Sequence, residues 1–139
     1  GLYTFFKRTS PHPDLTTFDC PDSNVTNIRR TVSNTPLQAL TTLNAEAFAE
    51  AAQALAKRVL SAPGLAGDDA RIAHAFRLCL GRVPTAQESR ALGKLLAEAR
   101  YHYQASAEEA QQATGAQGLA GVPAVETAAW AATLRIVLN

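Results

Sequence analysis

The residues best suited to chemistry lie near the start of the chain, where acidic and basic side chains come close together in sequence. Asp19 and Asp22 supply two carboxylates, and Arg29 with Arg30 supplies two guanidinium groups shortly before a predicted helix. Helix N-termini favour anions, and a neighbouring arginine strengthens such a site. One hypothesis is therefore that the two arginines bind a sulfate, carboxylate or phosphate group.

The same residues also suit a purely structural role. Arg29 and Arg30 could pair with Asp19 and Asp22 and hold the loop against the helices, and we favour this interpretation because these acids are close in sequence. His12 is a further candidate member of the cluster, but it lies between two prolines and its partner is not evident. The cluster is thus either an anion-binding site or a set of structural ion pairs.

The remaining histidines and the cysteines indicate no further site. His74 lies on the polar side of a helical stripe, and His102 follows Glu98 by four residues, as in an ordinary surface pair. Cys79 falls on an apolar stripe typical of a buried thiol, and a bridge to Cys20 is an option only in an exported protein. Since no C-x-x-C, H-E-x-x-H, G-x-S-x-G or glycine-rich phosphate loop occurs, we expect no metal or cofactor in this region.

The composition is typical of a globular domain. The 139 residues are 47% hydrophobic and 18% charged, with a net charge of +1. Such a chain is long enough to bury a core, and its near-neutral charge gives no argument for nucleic acid or an anionic membrane as a partner. No apolar run is long enough to predict a membrane span.

Helix starts are the clearest local signals. Thr35 fits an N-cap, Pro36 fits the first helical position, and Gln38 completes a capping box with Thr35. Asn44 is predicted to cap a second helix that begins directly after it. Capping explains these residues, so they are not expected to form an active site.

Further caps and the spacing of apolar residues predict the other helices. Thr85 with Glu88 and Ser106 with Glu109 repeat the capping-box pattern, and Asp68 is predicted as an N-cap. The predicted helices cover about 45–61, 68–80, a segment from 85 onward, a short helix or continuation from 106, and about 124–138.

We therefore expect a mainly α fold, with about five helices in a small bundle-like or orthogonal array. An irregular N-terminal arm, residues 1–35, precedes the helical region 36–139, and the two form one domain. The aromatic run at 2–6 and the segment near 25–30 could form short strands in the arm. The segment Pro11-His12-Pro13 is expected to interrupt regular structure.

Three groups of residues, in this order, carry a family signature. The first group, within residues 2–13, consists of LYTFFKRT and PHP. The second, within residues 17–30, consists of TFD, Pro21-Asp22 and Arg29-Arg30. The third, within residues 34–44, consists of NTPLQAL and Leu43-Asn44. Together they resemble the C-terminal part of a planctomycete-associated domain of unknown function, family fifteen-fifty-three. The similarity continues through RIA at 71–73 and LGRVPT at 80–85, and it ends near 130–139.

The resemblance implies a context more than a reaction. Members are large, exported proteins in which this domain follows another domain of unknown function, often with a cytochrome-c-like domain upstream. The resemblance supplies no catalytic residues, and any haem would belong to another part of the parent protein, because C-x-x-C-H does not occur here. Cys20 stands where the family pattern has a small residue, which argues against a family-wide disulfide. The pattern also continues beyond Asn139, so we expect the final helix to be cut short.

The leading functional hypothesis is a non-catalytic interaction or scaffold module of a large exported bacterial multidomain protein. Its expected partners are other domains of the same parent, with polysaccharide as a second candidate; nucleic acid and membrane insertion are not expected. The alternative is an accessory part of a polysaccharide-processing or redox enzyme whose active site lies mainly elsewhere. An open pocket uniting His12, Asp19 and Arg29 or Arg30 would favour the enzyme, and the same groups paired off and buried would favour the scaffold.

Overall fold

The computed structural model describes residues 4–5, 7, 9–21, 24–115 and 118–139. They fall into two compact units, Gly1–Asn44 and Ala45–Asn139. The fold is mainly α, as predicted. The described residues contain seven helices rather than about five: α1 (Pro13–Thr17), α2 (Pro36–Asn44), α3 (Glu46–Ser61), α4 (Asp68–Leu80), α5 (Ala86–Ala105), α6 (Ala107–Ala113) and α7 (Ala124–Val137).

The first helix forms where the sequence predicts an interruption. Pro13 occupies the first helical position of α1, where its missing N–H is not needed. The Nδ1 atom of His12 accepts a hydrogen bond from the backbone N–H of Asp14 at 3.3 Å and so caps the helix. The expectation that Pro11-His12-Pro13 excludes regular structure is therefore wrong, because a proline that blocks a helix interior fits a helix start.

The start of α2 is a capping box, whereas the start of α3 has no side-chain cap. The Thr35 hydroxyl accepts from the Gln38 N–H at 3.3 Å, and the Gln38 side-chain oxygen accepts from the Thr35 N–H at 3.1 Å. Asn44 is the last residue of α2, and its amide donates to the Leu40 carbonyl oxygen at 2.9 Å. The predicted Asn44 cap of α3 is therefore wrong: Asn44 bonds back to its own helix, and the N-cap of α3 is Ala45.

The predicted strands are absent from the described part of the arm. Residues 25–30 form bends and irregular backbone instead. Among the described residues, β-type pairing is limited to an isolated antiparallel bridge between Lys7 and Ser10. Side chains that favour strands do not make one without neighbouring strands to complete the sheet. Most of the predicted strand at 2–6 lies outside the described residues.

The first compact unit includes α2. The boundary predicted after residue 35 places this helix with the helical region, but the first unit extends to Asn44. The side-chain amide of Gln38 donates to the Thr17 carbonyl oxygen at 2.9 Å and to the Ser33 hydroxyl at 3.0 Å. These bonds join the first turn of α2 to the preceding arm.

In the second unit, α7 is the central helix. It packs against α3, α5 and α6, and eight of its 14 residues are buried. A helix with neighbours on several sides buries most of its circumference. Trp130 is fully buried. The large side chains of the surrounding core are Val59, Ile72, Phe76, Leu92, Leu96 and Leu134.

One arginine fixes the turn between α4 and α5. Gly81 ends α4 with a φ of 67°, a left-handed conformation that glycine adopts without steric cost. Arg82 donates to the two carboxylate oxygens of Glu88 at 2.8 and 2.6 Å, and its guanidinium lies 5.2 Å from the centre of the Phe76 ring. Glu88 also accepts from the Thr85 N–H at 2.7 Å, and the Thr85 hydroxyl accepts from the Glu88 N–H at 3.2 Å, which completes a capping box.

Two other predicted caps are not formed. Asp68 is the first residue of α4, and the N-cap is Gly67. Ser106 precedes α6 without a side-chain cap, and the Glu109 carboxylate instead lies 2.9 Å from Nε2 of His102. His102 therefore pairs with an acid of α6, not with the acid four residues before it.

We expect the Glu88 contacts to make folding stability depend on pH under acidic conditions. Hydrogen bonds from Arg82, and then from the Thr85 N–H, lower the pKa of Glu88 from 4.5 to about 2. A carboxyl group with a depressed folded-state pKa contributes stability that is present above its unfolded pKa and is lost as the pH falls through its folded pKa. The urea midpoint should therefore decrease from pH 4.5 down to about pH 2.

Glu88→Gln should flatten this decrease, because glutamine gains no proton in that range. The measurement is the slope of the urea midpoint against pH for both proteins. Glu98→Gln is a matched control on the same helix, since the Glu98 carboxylate is exposed and lies 3.7 Å from Lys94. If the two variants keep the same slope as the wild type, Glu88 does not contribute as described.

Candidate functional site

His12 is used as a local cap. Its Nδ1 atom accepts from the Asp14 N–H and lies 3.9 Å from the Asp14 carboxylate. A nitrogen that accepts a hydrogen bond carries no proton in that arrangement. Within the described residues His12 contacts Asp14 in this way and does not join Asp19, Arg29 or Arg30 in a hydrogen-bonded cluster.

Asp19 lies at the centre of a hydrogen-bonded group, here called the Asp19 junction, that also contains Thr17, Ser33 and Gln38. One Asp19 carboxylate oxygen accepts from the N–H and the hydroxyl of Ser33, both at 2.7 Å, and from the Gln38 amide at 3.4 Å. The Ser33 hydroxyl is the main cause of a lowered pKa of Asp19, followed by the Ser33 N–H, with smaller contributions from Gln38 and the charge of Arg30. The Asp19 carboxylate is therefore ionised, and it accepts hydrogen bonds from donors that hold the local structure together.

The backbone at Asp19 is also unusual. Its φ is 56°, in the left-handed region that aspartate enters more readily than most residues other than glycine. Such a conformation persists only where the surroundings determine it. The bonds from Ser33 and Gln38 supply that constraint, and Asp19 thereby turns the chain directly after α1.

Arg29 and Arg30 lie on exposed, irregular backbone. Within the described residues neither forms an ion pair with a carboxylate. Arg30 influences Asp19 through its charge, whereas the hydrogen bonds to Asp19 come from Ser33 and from the Gln38 amide of the Asp19 junction. The predicted pairing of the arginines with Asp19 is therefore not formed, and Asp22 lies outside the described residues. Binding of an anion by the arginines stays a prediction.

A polar cleft of about 310 Å³ adjoins the Asp19 junction. His12, Arg29 and Arg30 are not among its lining residues, so it does not unite the candidate catalytic groups. Its hydroxyl, amide and carboxylate groups could form hydrogen bonds with a polar ligand. The lining residues are Thr16, Asp19, Cys20, Pro21, Asn27 and Thr31.

Cys79 is poorly suited to nucleophilic or metal-binding chemistry. Both are free thiols, and Cys79 is partly buried against the core of the second unit. Burial raises the pKa of the Cys79 thiol, which disfavours the thiolate needed for nucleophilic attack or metal binding. Among the described residues, no three His, Cys, Asp or Glu side chains are grouped so that they could hold a metal ion. Within the same residues, no helix is both long and apolar enough to span a membrane.

Sequence reasoning missed a charged contact that joins three helices of the second unit. This Arg100 junction consists of Arg100, Asp68, Glu126 and Trp130. Arg100 on α5 donates to both oxygens of Asp68 on α4, at 2.6 and 2.9 Å, and to both oxygens of Glu126 on α7, at 2.8 and 2.5 Å. Glu126 also accepts from the indole N–H of the buried Trp130 at 2.9 Å.

The charges in the Arg100 junction stabilise one another. Hydrogen bonds with Arg100 lower the pKa of both Asp68 and Glu126, and the two carboxylates raise the pKa of Arg100. Both acids also lie in the first turns of their helices, where the helix dipole favours negative charge. All three side chains are therefore charged at neutral pH, and their hydrogen-bonding capacity is used to hold helices together.

Only part of the Arg100 junction could be recognised from the sequence. Acids at helix starts and the four-residue spacing of Glu126 and Trp130 are local features. Arg100 lies 32 residues from Asp68 and 26 from Glu126, so no local pattern identifies its partners. The contact depends on how α4, α5 and α7 meet, which the sequence alone does not give.

We expect Arg100→Gln to destabilise the second unit, because two carboxylates would face each other without a cation. The loss in unfolding free energy should be about 2 kcal/mol, below the ~3–5 kcal/mol for breaking a fully buried pair, since partly exposed charges are screened by water. The Arg100 side chain keeps 27% of its surface exposed. Urea unfolding followed by Trp130 fluorescence measures the change.

Lys94→Gln is the control for the Arg100 substitution, because Lys94 lies on the exposed side of the same helix. Its effect should stay within about 0.5 kcal/mol, as for most surface substitutions. Equal stability of the two variants would show that the Arg100 junction does not hold the helices together.

Comparison with known proteins identifies a family. The model of the family described as "PSD1: Protein of unknown function (DUF1553)" matches residues 1–96. That match includes the Asp19 junction and both capping boxes, and it ends before Arg100, short of the predicted limit near 130–139. Neither the curated proteins nor the solved structures contain a match to the chain. Because the family model covers more than half of the 139 residues, the chain belongs to the DUF1553 family of proteins of unknown function.

Proposed function

We propose that this chain is a non-catalytic interaction module of a larger, exported bacterial multidomain protein, and that residues 1–44 carry its docking surface. The observation that supports the proposal is the exposure of large apolar side chains in this segment. Ile28 is 98% exposed and Val32 is 89% exposed. Further exposed members of this docking surface are Phe5, Val25, Leu37 and Leu40.

Apolar side chains in water forgo the stabilisation that burial would give. Fully burying a valine, leucine or isoleucine side chain is worth about 1.5–3 kcal/mol relative to exposure. In the described part of residues 1–44 no residue is buried, and α2 exposes both Leu37 and Leu40. Six such side chains occur within this one segment of the sequence, and a large exposed apolar surface can mark an interaction site. We therefore infer that another domain of the parent protein covers this surface.

The polar groups of the chain support a non-catalytic role. His12 caps α1, Asp19 is occupied by Ser33 and Gln38, and the Arg100 junction holds three helices. These contacts use the groups that a general acid or base would need. No cofactor is proposed for this region, and export of the protein is part of the proposal.

The polar cleft beside the Asp19 junction favours the second candidate function. An accessory part of a polysaccharide-processing or redox enzyme would need a surface that accepts polar ligands, and the side chains of Thr16, Asn27 and Thr31 could bond to sugar hydroxyls. Under this alternative, deleting the region from the parent protein lowers binding to neutral or sulfated polysaccharides. Unchanged binding after the deletion would contradict the alternative.

The docking proposal is tested by comparing one substitution in two settings. Val32→Ser should leave the stability of the isolated chain within about 0.5 kcal/mol, because the side chain is already in water. In the parent protein the same change should cost about 1–2 kcal/mol, because Val32 would then be buried against another domain. Urea unfolding of both proteins measures the difference.

Val83→Ser is the matched control. Val83 is 54% exposed and lies in the second unit, outside the proposed docking surface. It should have the same effect in the isolated chain and in the parent protein. If Val32→Ser also has equal effects in the two settings, residues 1–44 are not buried in the parent, and the proposal is wrong.

A further inference from the structure

A second cavity is lined by helices of the second unit. Its volume is about 120 Å³. Among the described residues, three polar side chains line it: Gln53 from α3, Tyr103 from α5 and Arg135 from α7. Alanines from α3, α6 and α7 line the rest.

Arg135 is the residue that sets this cavity apart. Its Nε atom is buried and has no hydrogen-bond partner. Among the described residues it forms no ion pair either, unlike Arg82 and Arg100. A buried donor without an acceptor is costly and rare in native proteins. The position of Arg135 in the last turn of α7 stabilises its positive charge in part, but it gives the Nε–H group no hydrogen-bond partner.

Gln53 and Tyr103 can also donate to a ligand, although the Gln53 side-chain oxygen and the Tyr103 hydroxyl oxygen can accept as well. The Gln53 side-chain amide donates one N–H to the Ala113 carbonyl oxygen at 3.1 Å, which leaves its second N–H available. The Tyr103 hydroxyl forms no hydrogen bond with the described residues. A guanidinium has five N–H donors and no acceptor. The cavity therefore combines a positive charge, several donors and apolar alanine walls.

We propose that this cavity binds the carboxylate of a small organic acid. A carboxylate carries the negative charge that would pair with Arg135. It accepts hydrogen bonds only, and it pairs with a guanidinium through two parallel hydrogen bonds. Methyl groups of Ala49, Ala52, Ala131 and Ala132 would cover a short apolar tail. One water occupies about 30 Å³, so the cavity volume of about 120 Å³ corresponds to about four waters. This volume is close to that of propionate.

The test is an NMR titration of the ¹⁵N-labelled chain, read at the Nε–H signal of Arg135 and at the amides of Ala49 and Ala132. Propionate represents a free acid, and N-acetylaspartate amide presents the same group as a protein side chain would. Sulfate tests for an oxyanion without an apolar tail. We expect a saturable shift at all three positions with propionate or with the aspartate compound, and weaker binding of sulfate.

Three substitutions separate carboxylate binding from general effects on the protein. Arg135→Gln should weaken carboxylate binding at least about tenfold, the factor that the loss of one charged hydrogen bond gives. Arg71→Gln is the matched control, because Arg71 also has a buried Nε atom without a partner but does not line the cavity. It should leave binding unchanged. Arg135→Lys, which keeps the charge, should bind more weakly than the wild type.

Binding of propionate alone would identify a free acid as the ligand, and binding of the aspartate compound alone would identify a carboxylate side chain; both results support the site. The proposal is overturned if neither compound gives a saturable shift, which would mean that the cavity holds water only. It is also overturned if sulfate binds more tightly than both carboxylates, or if Arg135→Gln binds as well as the wild type.

Discussion

One guanidinium group, that of Arg100, pairs with two carboxylates in the first turns of two different helices. Asp68 starts α4, Glu126 lies in the first turn of α7, and α5 supplies the cation between them. Glu126 also holds the indole N–H of Trp130, the largest fully buried side chain of the described core. The central helix is thus fixed at its start by an ion pair and along its length by apolar packing. Without the Arg100 guanidinium, two negative charges would face each other beside the core. The first turn of α7 would also lose the ion pair that fixes its position against α4 and α5.

The first unit is held together in a different way. Asp19, Ser33 and Gln38 join α1, the arm and α2 through hydrogen bonds, whereas no described residue of this segment is buried. A polar junction of this kind fixes local geometry but supplies little of the apolar burial that stabilises a domain. The exposure of Ile28 and Val32 is what we expect of a segment whose apolar side chains are buried only when a partner covers them. For this reason we propose that residues 1–44 carry the recognition function. The second unit has its own helical core.

Features set by neighbouring residues could be predicted from the sequence. The spacing of apolar residues predicts α3 and α4 nearly to the residue, and the capping boxes at Thr35 and Thr85 form because their partners are three residues away. The start of α1 is not predicted, because histidine is an unusual cap. The strand expected near 25–30 is wrong because a strand needs a neighbour that the segment lacks.

Features set by tertiary contacts could not be predicted. The partners of Arg100 are 26 and 32 residues away, and Glu109 pairs with His102 across the break between α5 and α6. In the candidate cluster, the sequence offered a structural role for Asp19 but assigned it arginines as partners. Ser33 and Gln38 are the observed donors, and neutral donors 14 and 19 residues away carry no charge pattern that would reveal them.

The most direct test of the proposed interaction function is photo-crosslinking in the parent protein, with a photoreactive residue in place of Ile28. We predict cross-links from this position to another domain of the same polypeptide. A photoreactive residue at Tyr101, which is exposed on α5 of the second unit, should give no such product. If position 28 reacts only with solvent, as position 101 should, then the docking surface of residues 1–44 is not covered by another domain, and the proposed function is contradicted.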